Sequence, residues 1–210
     1  RDDAAVLYAF CRYVDDVADE TPNRDDARAE LRLVRAELAG QRAPRSIVRL
    51  FLDVAARRDI DIQAADYLVQ AVLSDLGTVR FKNDAQLLRY CYGVAGTVGL
   101  MMCGVLGVRS KEALHFAIDL GVGMQLTNIC RDIREDARRN RCYVPRTRLA
   151  DHGILQDDVV TRSCDPDRLA RVTDGVLELA ERYYQSADRG MQAIPLPGRA
   201  AIVVAARVYR

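Results

Sequence analysis

The sequence predicts an all-α protein, a single-domain helical bundle over residues 1–210. Three observations carry that expectation. Apolar side chains recur at steps of three and four, strand-type alternation and tight hairpin signals are missing, and no breaker cluster is long enough to link two domains. Half of the residues are apolar, which is enough for a sizeable core. The 31 basic and 30 acidic side chains nearly cancel to a formal charge of +1, which excludes a strongly basic nucleic-acid binder, and the apolar half argues against a disordered chain.

The elements come in order along the chain. A helical pattern is already running at Asp2 and stops at the turn of Pro22 and Asn23. Ala27, Leu31, Val34 and Leu38 then step by four, three and four up to Gly40. With Pro22, breakers at Gly40 to Pro44, Gly77, Gly107, Pro145 to Gly153 and Pro195 to Gly198 divide the whole chain into about seven or eight helices. The last long one opens at Asp165 and Pro166, with proline where a first helical turn accepts it. It runs through Leu169, Val172, Val176, Ala180, Tyr183, Ala187 and Met191. Arg1 is not a start methionine and the apolar run 200–208 stops without a cap, so the sequence is expected to be truncated at both ends. Six cysteines without a C-x-x-C pair, and with no secretory leader before them, read as reduced thiols of a cytoplasmic protein. His115 and His152 lie far apart, which weakens a histidine-based zinc site.

Residues 90–108 carry no charge, and a membrane span needs roughly 17–25 apolar residues. Gly93, Gly96, Gly99, Gly104 and Gly107 interrupt this stretch, and Tyr90, Tyr92 and Thr97 are polar. Three readings stand: a transmembrane helix, close packing of two helices, or a shallow strip against which a slender apolar ligand lies.

Two acidic clusters carry the chemistry. On a helix, Asp15 and Asp19 share one face with Asp16, and Tyr8 and Arg12 lie on the same side. Asn128, Asp132 and Asp136 recur every four residues, rising ~6 Å per step with a drift of ~40°. Either cluster alone is also what a solvated helix face looks like. Against that, like charges at these spacings disfavour a helix by ~0.2–0.5 kcal/mol per pair, so something must offset them. The flanks are apolar as well, with Val6, Leu7 and Phe10 before the first cluster and Met124 and Leu126 before the second. Oxygen donors without histidine or thiolate are what Mg²⁺ selects, with Mn²⁺ as the alternative, and Mg²⁺ takes phosphate oxygens as further ligands. Arg12, Arg131, Arg138, Arg139 and Arg141 supply forked donors for such an anion. A ligand with a diphosphate head and a long hydrocarbon tail satisfies the acidic lines, the arginines and the glycine strip together.

The motifs also carry a resemblance. The run 7–12 leading into Asp15, Asp16, Val17, Ala18, Asp19 and Glu20 is similar to the first aspartate-rich signature of the squalene/phytoene synthase family. The run 125–136, followed by Arg141, Cys142, Tyr143, Val144 and Pro145, resembles its second, and 90–99 resembles its central helix. The resemblance implies the isoprenoid-synthase bundle with a central cavity, and head-to-head condensation of two prenyl diphosphates through a cyclopropyl intermediate. It implies that Asp15, Asp19, Asn128, Asp132 and Asp136 hold Mg²⁺ and diphosphate, with Asp16 completing the first motif. It also implies that Arg12, Arg131 and Arg141 contact phosphate and that Tyr8 and Gln125 stand near the reacting carbons. Tyr90, Val94, Ala95, Val98 and Gly99 would line the tail pocket. Asn140 stands where the family pattern has glycine.

Within the family, the wording of residues 96–103 favours two C20 substrates giving phytoene, as in bacterial phytoene synthases. The alternatives are C15 substrates giving dehydrosqualene, presqualene diphosphate or squalene, and only squalene would require NADPH. A head-to-tail chain-elongating enzyme would carry two D-D-x-x-D motifs, whereas the second line here begins with Asn128. A catalytically dead relative acting as a binding protein would have lost metal ligands, and none of the five is lost. Peripheral contact with a membrane is expected from lipid substrates. No nucleic acid is expected, and the sequence is silent on oligomeric state.

Overall fold

A computed structural model describes residues 2–190 and residue 192. Its α-helices are α1 (Asp2–Glu20), α2 (Arg24–Leu38), α3 (Ser46–Arg58), α4 (Ile62–Asp75), α5 (Asp84–Cys91), α6 (Thr97–Leu106), α7 (Lys111–Arg138), α8 (Arg146–Ala150), α9 (Gln156–Thr161) and α10 (Pro166–Gly190). A π-helical turn, Tyr92–Gly96, joins α5 to α6. The all-α expectation holds, with one addition. Strands β1 (Val79–Arg80) and β2 (Arg141–Cys142) pair in parallel, Val79 opposite Arg141 and Arg80 opposite Cys142. Two residues are too few to leave a period in sequence.

The predicted stripes are the buried ones. Ala27, Leu31, Val34 and Leu38 face the core of α2, and the Asn23 side chain caps that helix by accepting from the Asp25 amide at 2.8 Å. Val172, Val176, Ala180 and Ala187 are buried on α10, and Asp165 accepts from the amides of Asp167 and Arg168, both at 2.9 Å, so proline enters just inside a capped start. Met191, residues 195–198 and the run 200–208 lie outside the described residues.

The core is built in two halves. The first gathers α1 to α4 with Met101 of α6 and is centred on the stacked rings of Phe10 and Phe51, 4.2 Å apart. The second gathers α5, α7, β2 and α8 to α10, with α10 lying along α7. Val94, on the π turn, packs against both. The π turn adds a residue to the helical register here.

Close packing decides the glycine-rich stretch. No helix among the described residues is long and apolar enough to cross a membrane. The stretch is cut by the π turn, and α6 ends at Gly107, whose φ of +73° is left-handed backbone that glycine adopts freely. A Cβ on Gly99 would lie 2.4 Å from the Ala117 carbonyl oxygen, and one on Gly121 would lie 2.4 Å from that of Ala95. These glycines therefore bring the π turn and α6 against α7, backbone to backbone. Gly93 and Gly104 instead make room for side chains, those of Ala71 and Ile60. Of the three readings, close packing holds for Gly99, which draws α6 against α7 and also borders the cavity beside it.

Gly99→Ala is accordingly expected to destabilise the fold. Overpacking costs about 1–3 kcal/mol, or about 2–12 °C in Tm for a chain of this size. An unchanged melting temperature would show that α6 and α7 can separate without cost.

Candidate active site: an acidic cleft opening into an apolar cavity

Two cavities meet at the seam between the half-cores. The polar one, about 360 Å³, is walled by α1, the end of α4, α5, α7 and the corner leading into β2. Asp15 and Asp19 stand on one wall, Asn128, Asp132 and Asp136 on the other, and Arg12, Arg139 and Arg141 at the rims. The apolar one, about 340 Å³, runs beside α6 and α7. Val94, Gln125 and Asn128 border both.

Each acidic helix buries its apolar face and leaves its carboxylates at the cleft. On α1, Leu7, Phe10, Val14 and Val17 are buried. On α7, Val122, Leu126 and Ile129 anchor the opposite side. The negative charge is only partly matched. Protein surroundings, reinforced by neighbouring Asp19 and opposed by Arg12, raise the Asp15 carboxyl to about 6. Burial, reinforced by Asp132 and opposed by Arg141, raises Asp136 to about 7. Asn128 donates weakly to Gln125 Oε1 at 3.4 Å, while its own Oδ1 is buried without a partner.

Two arginines tie the walls together. Arg139 Nη1 lies 2.8 Å from Asp19 Oδ1, and Arg141 Nη1 reaches the same oxygen at 3.4 Å. Arg141 is buried and its Nε has no hydrogen-bond partner. A buried guanidinium with a spare donor beside an acidic cleft is a ready anion contact.

Of the floor, Asp75 lies outside the motifs. Asp75, at the end of α4, is buried, and its Oδ2 accepts from the Tyr90 hydroxyl at 2.7 Å while Oδ1 has no partner. Burial, opposed by the Tyr90 hydrogen bond and by Arg141, raises its carboxyl to about 6. The Tyr90 ring stacks on Tyr143, centroids 4.8 Å apart, and burial pushes both phenols up. The signal for Asp75 is its helical register: it stands three residues after Val72 and seven after Leu68, on the buried stripe of α4.

The structure sorts the predicted residues. It brings Arg12, Asp15, Asp19, Gln125, Asn128, Asp132, Asp136 and Arg141 to the cleft. It puts Val94, Ala95, Val98 and Gly99 along the apolar cavity. Tyr90 is corrected: its hydroxyl is taken by Asp75, and it borders the polar cleft rather than the apolar cavity. Arg131 is also corrected. It borders neither cavity and instead holds the carboxylate of its neighbour Asp132 with two bonds of 2.7 Å. Asp16 turns to Arg12, 2.9 Å away, and Tyr8 is 68% exposed; neither borders either cavity. Phe116, Leu120 and Met124, which the motifs do not flag, complete the apolar wall on α7.

The donor set suits a hard divalent cation: carboxylates on facing walls, one unpartnered amide oxygen, and raised carboxyls that added positive charge would relieve. Among the described residues no three carboxylate, thiol or imidazole side chains converge on one point. Anion and water oxygens would therefore have to complete any coordination shell.

Known proteins match this arrangement. The family model described as squalene/phytoene synthase matches residues 1–210. The chain is 39% identical to a 15-cis-phytoene synthase of Enterobacter agglomerans, covering 98% of this chain and 73% of that one. It is 38% identical to a phytoene synthase of Thermus thermophilus, covering 100% and 72%. Among solved structures, a dehydrosqualene synthase in complex with ligand superposes with a TM-score of 0.86 at 26% identity, over 99% of this chain and 73% of that one. A squalene synthase from Alicyclobacillus acidocaldarius shares the fold, with a TM-score of 0.84 at 23% identity over 97% and 78%. With a full-length family match and these relatives, the chain belongs to the squalene/phytoene synthase family.

Proposed function

We propose that the chain is a prenyltransferase that joins two geranylgeranyl diphosphates head to head, through cyclopropyl prephytoene diphosphate, to phytoene in carotenoid biosynthesis. The observation that carries this reading is the junction at Val94, Gln125 and Asn128. There a cleft of carboxylates and arginines opens directly into an apolar cavity, so one molecule is asked for with an anionic head and a hydrocarbon tail. The phytoene synthases at 38–39% identity support the C20 substrate and product.

The side chains divide the work. Arg12, Arg139 and Arg141 offer donors to diphosphate oxygens at the rims. Asp15, Asp19, Asn128, Asp132 and Asp136 would hold Mg²⁺, or Mn²⁺, which when bound neutralises charge on the departing diphosphate. Arg131 grips Asp132 from outside and holds that carboxylate in place. Tyr90 and Tyr143 border the cleft as a stacked pair, where aromatic rings would favour positive charge left on an allylic carbon. Val94, Val98, Phe116 and Leu120 exclude water from the tail. This reading also has the protein work at the cytoplasmic face of a membrane without spanning it. Release by carbonate washing tests that, and a detergent requirement contradicts it.

The reading is tested by incubating the full-length protein with C15 or C20 diphosphate and Mg²⁺, with and without NADPH, and identifying the hydrocarbon. Phytoene from the C20 substrate without NADPH is expected. Dehydrosqualene or squalene from the C15 substrate alone would replace it with the shorter-tail reading.

Asp132→Ala is expected to lower kcat/KM at least about 100-fold while leaving the helical circular dichroism intact, because it removes a wall of the cation site. Activity within a few-fold of the parent would remove α7 from that role.

The pH dependence has opposite signs with and without metal. Asp15, Asp75 and Asp136 titrate at about 6, 6 and 7 when folded but near 4 when unfolded, so the folded state holds more protons across that interval. Metal-free stability should therefore fall as pH rises from about 5 to 7 and level off above. Asp3, Glu30 and Glu37, held low by arginines, titrate below that window. Turnover with Mg²⁺ should rise over the same interval, because cation binding needs ionised carboxylates. A metal-free Tm that climbs between about pH 5 and 7 would contradict the assignment.

A further inference from the structure

Asn140 is the residue between the two arginines that reach Asp19, and its φ is +58°, in the left-handed region. Side chains other than glycine adopt that conformation at a cost, although asparagine tolerates it better than most. The guanidinium of Arg80 grips it twice. Nη1 donates to the Asn140 carbonyl and Nη2 to its Oδ1, both at 2.9 Å. Nη1 also donates to the Val79 carbonyl at 2.8 Å, and Nε and Nη2 reach Asp157 Oδ1 on α9 at 3.3 Å. Arg80 borders neither cavity. Its strand pairs with the one that starts at Arg141. The Arg80 side chain thus holds the left-handed residue, and its strand holds Arg141 directly after it.

We propose that Arg80 is a positioning residue: by holding Asn140 in its left-handed conformation, it aims Arg139 and Arg141 across the cleft at Asp19 and at the diphosphate. This rests on the reading of the cleft as a diphosphate site. A mere surface tie between β1 and α9 would make a different prediction, because Asp157 is 85% exposed and such pairs contribute little. It would be lost equally in Asp157→Asn and would leave ligand affinity alone.

The test uses the full-length protein with Arg80→Met, Asn140→Gly, the two combined, and Asp157→Asn. Affinity for inorganic pyrophosphate with Mg²⁺ is measured by calorimetry, KM and kcat with the prenyl diphosphate, and Tm without metal. Arg80→Met is expected to weaken pyrophosphate binding and raise KM about tenfold, with a smaller change in kcat. Asn140→Gly alone should change little. In the Arg80→Met background it should restore most of the affinity and raise Tm, because glycine holds a φ near +58° without the guanidinium. Asp157→Asn should leave affinity at the parent level. Should Arg80→Met fail to fold, Arg80→Lys keeps the charge without the fork, and the same partial loss and glycine rescue are expected there. Unchanged affinity in the Arg80 variants, or a loss that Asn140→Gly does not recover, overturns the proposal. A parent protein with no Mg²⁺-dependent pyrophosphate binding overturns the diphosphate reading and the proposal with it.

Discussion

Two helices that carry carboxylates toward each other would separate if nothing held them, and the rest of this molecule answers to that constraint. The cost of gathering them shows in Asp15 and Asp136, whose carboxyls are pushed up to about 6 and about 7, by burial first and by neighbouring carboxylates on the same helix second. Arg139 and Arg141 meet it from the corner after α7 by converging on a single oxygen of Asp19. Asp132 is held by its neighbour Arg131, while Asp15 and Asp136 keep raised carboxyls at the cleft. A polyanion bridged by divalent cations is the kind of ligand that space is charged to receive.

The two half-cores give that cleft its place. Each acidic helix is anchored by its own half, α1 among α2 to α4 and α7 along α10, so the polar walls meet where neither core is continuous. Glycines set how near the walls stand. With backbone against backbone at Gly99 and Gly121, α6 and the π turn lie close enough to α7 for Val94, Ala95 and Val98 to line a narrow slot rather than an open trough.

Local patterns are legible in the sequence and tertiary ones are not. The stripes of α2 and α10 and both acidic lines are written at helical spacing, which any single helix displays. Asp75 joins the site, and Arg80 its supporting corner, only through packing of α4 and β1, and no short-range spacing announces them. Tyr90 shares a motif with the tail-pocket residues, and the motif alone groups it with them. The α5 helix turns it to Asp75 before the π turn redirects Val94 and Ala95 to the cavity. The glycines are legible as a strip, but whether a strip faces a ligand or a backbone depends on what crosses it. The departure at Asn140 is visible as a missing glycine, and its left-handed φ supplies the reason a glycine suits that place.

The parallel ladder of β1 and β2 has a kinetic consequence. Val79 and Arg141 pair across most of the middle of the chain, and nothing local brings them together. The helices between them can form and collapse early, while closing so long a loop is slow and entropically costly. A population that is fully helical and already compact would still lack the corner that seats Arg139 and Arg141. In refolding, recovery of helical signal should run ahead of recovery of function, with the interval set by two paired residues rather than by any of the long helices.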